Sequence, residues 1–94
     1  MTDDEEKKIL EREITDGEHA QKLLEDPMIQ GFLVSMRGHL INQFGRTTAS
    51  QQEERDEIWR MTQVVDQFEE HLSNYVENGR FARQSWLDIF KKPW

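Results

Sequence analysis

The chain has no cysteine, two prolines and one tyrosine among 94 residues. Without a thiol there is no disulfide framework, no thiolate zinc site and no catalytic cysteine, and a short chain without staples points to an intracellular setting. No apolar run approaches the ~20 residues that span a bilayer, so membrane insertion is not expected. The opening Met1-Thr2-Asp3-Asp4-Glu5-Glu6 is acidic where an export signal is basic and then apolar, so export by that route is not expected either.

What is present is charge. Charged residues make up 33% of the chain and apolar ones 35%, with a net charge of −7 and a mean hydropathy of −0.89. Aromatics at 10% exceed what an acidic disordered tail carries, which predicts one small folded domain with a thin core. The charge is uneven. Residues 1–26 hold 4 basic and 10 acidic groups, 27–50 hold 2 and none, 51–79 hold 2 and 8, and 80–94 hold 4 and 1. An acidic body therefore ends in a basic, aromatic segment.

Helix signals divide the chain. Thr15-Asp16-Gly17-Glu18 has the form of a capping box and predicts a helix from about Asp16, leaving residues 1–14 as an acidic, weakly ordered arm. Asp26-Pro27 reads as an N-cap followed by a proline at the first helical position, so the first arm breaks or kinks there. The next helix runs to about Phe44, with Gly45 as a left-handed terminator. Ser50-Gln51-Gln52-Glu53 forms a second capping box that opens a long helix over about 51–78, closed by Gly79. At ~1.5 Å per residue the long helix spans about 42 Å, and the pieces 16–25 and 27–44 span about 15 and 27 Å. Those lengths match as the two arms of an all-α hairpin over residues 15–79, followed by a C-terminal aromatic helical segment over 80–94.

Periodicity agrees with this. Ile29, Leu33, Met36, Leu40 and Phe44 share one face of the shorter helix. Ile58, Met61, Val65, Phe68, Leu72 and Tyr75 repeat as 3-4-3-4 on the longer one. Two helices bury one face each, so self-association or docking of the C-terminal segment is expected.

Catalytic patterns are missing. His19, His39 and His71 fall on three different helices without metal-ligand spacing, and the serines at 35, 50, 73 and 85 sit in no nucleophile or phosphate motif. No enzyme activity, metal or cofactor is expected. Interaction features are more prominent. Gly31, Ser35, Gly38, Asn42 and Gly45 form a small-residue stripe opposite the apolar face; it is either a helix contact or a tolerated solvent face, since a mid-helix glycine costs about 1 kcal/mol against alanine. Trp59 lies off the apolar seam, as an interface anchor or flat against a neighbouring turn. Phe81, Trp86, Leu87, Ile89, Phe90 and Trp94, set among Arg80, Arg83, Lys91 and Lys92, either fold back on the hairpin, dock on another protein, or touch nucleic acid or membrane. The flanking acidic segments disfavour phosphate contact.

Three stretches taken together carry a resemblance. Ala20-Gln21-Lys22-Leu23-Leu24-Glu25-Asp26-Pro27, then Glu53-Glu54-Arg55-Asp56-Glu57-Ile58-Trp59, then Asn78-Gly79-Arg80 resemble short helical proteins of tailed bacteriophages and prophages encoded among structural and packaging genes. The resemblance covers about residues 20–82 and excludes the basic aromatic tail. It implies a phage setting, in the host cytoplasm during infection or in the virion, and assigns no functional residue. Two functions follow as expectations. The first is a non-enzymatic protein that forms homo-oligomers and binds a virion or assembly component, using Gly31, Ser35, Gly38, Trp59, Phe81, Trp86, Phe90 and Trp94. The alternative is a small acidic effector that inhibits a host nucleic-acid-binding enzyme by protein contact.

Overall fold

In a computed structural model of the chain, residues 2–91 are described, apart from the side chains of Phe90 and Lys91. They form three helices, α1 (Asp3–Glu25), α2 (Pro27–Gly45) and α3 (Gln52–Lys91), and no strand among the described residues. The fold is all-α. The helices contribute to two compact units, one drawn from residues 1–24 and 71–94 and the other from 25–70.

The unit over 25–70 is a helical hairpin of α2 and the first half of α3. Asp26 is extended (φ −67°, ψ 120°), and its carboxylate accepts from the Met28 N–H at 2.8 Å, with Pro27 at the first helical position. That N-cap satisfies a backbone donor the helix leaves open, while proline has no N–H to satisfy. The core is short: Leu33, Leu40 and Val65 are buried, with Ile29, Met36 and Ile58 partly buried against them. Phe44, expected in the core, is 44% exposed and lies under the Arg55 guanidinium, which is 4.8 Å from its ring centroid. Arg55 also donates to the Thr47 hydroxyl at 2.8 Å, which in turn donates to the Phe44 carbonyl at 2.6 Å. This side-chain chain ties the turn between the helices to both arms.

Two caps differ from expectation. Gly45 is the last helical residue, the cap is Arg46 in a right-handed conformation, and none of the described glycines has a positive φ. The Arg46 N–H reaches the Gln43 carbonyl at 3.1 Å, closing the helix with a tightened turn that needs no left-handed residue. At the start of α3 the Ser50 hydroxyl pairs with that of Thr48 at 2.9 Å. The Gln51 side chain instead accepts from the Thr48 N–H and donates to Glu54, both at 2.8 Å.

The other unit packs α1 antiparallel to the second half of α3. Helix α1 begins at Asp3, so residues 3–14 are its first turns and not a loose arm, with Asp3, Asp4, Glu5 and Glu6 favourably placed at the positive end of its dipole. Thr15 is no cap: its hydroxyl donates back to the Glu11 carbonyl at 2.9 Å, inside the helix. Gly79 does not end α3, which continues to Lys91. Both glycines are buried where the helices touch. A Cβ on Gly17 would lie 2.9 Å from the Gly79 Cα and 2.9 Å from the Tyr75 carbonyl oxygen. One on Gly79 would lie 3.0 Å from the Gly17 Cα and 3.1 Å from the Glu13 carbonyl oxygen. Ala20 and Ala82, each three residues further on, are buried beside them. Two matched Gly-x-x-Ala segments thus bring the backbones together, the close approach that small residues allow. Glu18 and Arg83 pair across the same contact.

Candidate interaction site

The consecutive residues Phe32, Leu33 and Val34 project about 100° apart on α2. Only Leu33 is covered, at 1% exposure against 56% and 68% for its neighbours. The pattern recurs at Leu40 and Ile41, which are 4% and 71% exposed. Helix α2 is apolar on nearly every side, as buried helices are, yet α3 covers one side of it.

Two apolar grooves result, one on each side of the hairpin. The first is lined by Phe32, Leu33 and Met36 of α2 and by Met61, Val64, Val65 and Phe68 of α3, with no polar or charged side chain in it. The second is lined by Leu40, Ile41 and Phe44 of α2 and by Ile58, Trp59 and Thr62 of α3. Trp59, 62% exposed, stands at that second groove and off the seam. Beyond it lies the ion-pair group of Arg37 with Asp66 at 3.1 Å and Glu69 at 3.3 Å. Arg37 sits roughly 140° round α2 from Phe32, and Asp66 and Glu69 sit roughly 160° and 100° round α3 from Phe68.

The residues expected to make partner contacts fall in both units. Gly31, Ser35 and Gly38 are exposed on the outer side of α2, and a Cβ on either glycine would meet nothing within 4 Å. Phe81 and Trp86 belong to the other unit: Phe81 is exposed on α3 and Trp86 is half-buried. The Phe90 side chain and Trp94 lie outside the described residues. His19, His39 and His71 are all exposed, on α1, α2 and α3 respectively. No helix among the described residues is long and apolar enough to cross a membrane.

No family model, curated protein or solved structure matches this chain. Its surface must therefore be read from its own chemistry. Met28, Phe32, Val34 and Ile41 are the exposed residues that sequence periodicity overlooked. Their signal was the adjacent apolar residues at 28–29, 32–34 and 40–41, which no single helix face can absorb.

Proposed function

We propose that this chain is a non-enzymatic interaction protein that self-associates through the unit over 25–70 and holds a further protein component. The observation behind this reading is the imbalance of that unit. Leu33, Leu40 and Val65 are its buried side chains, whereas Met28, Phe32, Val34, Ile41, Phe44, Trp59, Met61, Val64 and Phe68 are all exposed. At ~25 cal/mol per Å² of apolar surface, leaving so many large side chains in water forgoes several kcal/mol that a partner would recover. Monomers seldom expose contiguous apolar patches beyond a few hundred Å².

The likeness of residues 20–82 to short phage proteins supports a virion or assembly component as the second partner, met in the infected host or in the particle. Light scattering on the purified full chain, together with detection of the chain in purified virions, tests this. A multimer present in virions supports the reading. A strict monomer absent from virions removes it, and salt-sensitive binding of that monomer to a host nucleic-acid enzyme would support the effector alternative.

A further inference from the structure

We infer that a second copy of this chain seats on the groove of Phe32, Met61, Val64 and Phe68, joining two hairpins face to face about a two-fold axis. The inference rests on the self-association reading and specifies its surface. Met28 lies one turn before Phe32 on the same side of α2 and extends the groove along the helix.

Charge selects the occupant. The chain carries −7, so two copies repel wherever carboxylates face each other. Helix α2 has no acidic residue, and the groove is lined by apolar side chains alone. A copy of the chain meets no opposing charge in the groove lining, with Glu57 one turn before Met61 at its end, whereas a basic partner finds nothing within the lining to pair with. The other side of the hairpin carries Arg37, Asp66 and Glu69, which a self-contact would have to desolvate.

Size agrees. The face is two helices wide, ~20 Å, and as long as α2, ~28 Å at ~1.5 Å per residue. With the corrugation of its side chains it approaches the ~800 Å² per partner of a standard interface. A two-fold contact uses the same patch twice, so Phe32, Val64 and Phe68 of each copy meet an identical apolar surface. Four helices then enclose what two leave open.

The test is sedimentation equilibrium of the full chain beside three variants. Val64→Glu places a carboxylate at a 60% exposed site, outside the core. It should weaken the dimer roughly 100-fold or more, since a two-fold contact buries the new charge twice, while helix content by circular dichroism stays unchanged. Phe32→Gln, on the facing helix, should also dissociate the dimer and guards against a local effect of Val64→Glu. Gly38→Leu, on the outer side of α2, should leave the mass unchanged. A wild-type dimer that survives Val64→Glu and Phe32→Gln but falls apart with Gly38→Leu overturns this inference and leaves self-association standing on the glycine face. A wild-type monomer at every concentration overturns both.

Discussion

Gly17 and Gly79 face each other across two antiparallel helices, so close that a Cβ on either would come within 3.0 Å of the other's Cα. The atoms in the way are backbone, which cannot swing aside as a side-chain tip can. Replacing a mid-helix glycine by alanine normally gains about 1 kcal/mol of helix propensity. At Gly17 that gain is outweighed by overpacking, and Gly17→Ala is expected to lower stability by about 1–3 kcal/mol in urea unfolding. Gly31→Ala meets open space and is expected to raise stability by about 0.5–1 kcal/mol. A stabilised Gly17→Ala would show that the helices have room to part.

The core is small enough that one residue should dominate it. Leu33 is the most deeply buried large side chain among the described residues, and Leu33→Ala is expected to cost about 2–5 kcal/mol. Its neighbour Val34 is 68% exposed, and Val34→Ala should change the free energy of unfolding by no more than about 0.5 kcal/mol. Equal losses at the two positions would mean that α2 is turned differently on α3.

Asp26 holds the start of α2 through its bond to the Met28 N–H. Asp26→Ala should cost about 1 kcal/mol, and Asp26→Ser, which can still accept that bond, should recover most of it. Thermal unfolding of the two variants side by side measures the difference. Equal melting temperatures would contradict the cap.

Arg37 bridges Asp66 and Glu69, but all three side chains are a third exposed or more, so solvent screens the pairs. A double-mutant cycle of Arg37→Met with Asp66→Asn is expected to give a coupling of about 0.2–1 kcal/mol. The coupling should shrink at molar salt, where the screening length falls to ~3 Å. A salt-independent coupling would mean that the pair is more buried than the structure has it.

Legibility in the sequence followed the range of each interaction. Asp26-Pro27 could be read directly because an N-cap and the proline after it act within three residues. Leu33, Leu40 and Val65 could be read because helical period alone places them inward. The two buried glycines could not. A glycine that ends a helix and one that lets two backbones touch both use the same missing Cβ, and only the partner helix, more than fifty residues away, distinguishes them. Reading Thr15 as an N-cap and Gly79 as a terminator shortened α1 by its first turns and α3 by its last. Matched Gly-x-x-Ala segments at 17–20 and 79–82 were the one trace of their real role. For the interaction surface, Trp59 stood out because it breaks the 3-4 spacing. Phe32 and Val34 were concealed by standing next to Leu33, whose position on the seam accounted for the run.

The proposed self-association places a second chain over the apolar surface around α2. Sedimentation equilibrium of the unaltered full chain, from micromolar to millimolar concentration, tests it most directly. The account requires a reversible shift toward the mass of two chains or more as concentration rises. A single-chain mass throughout that range, with helix content intact, would contradict it.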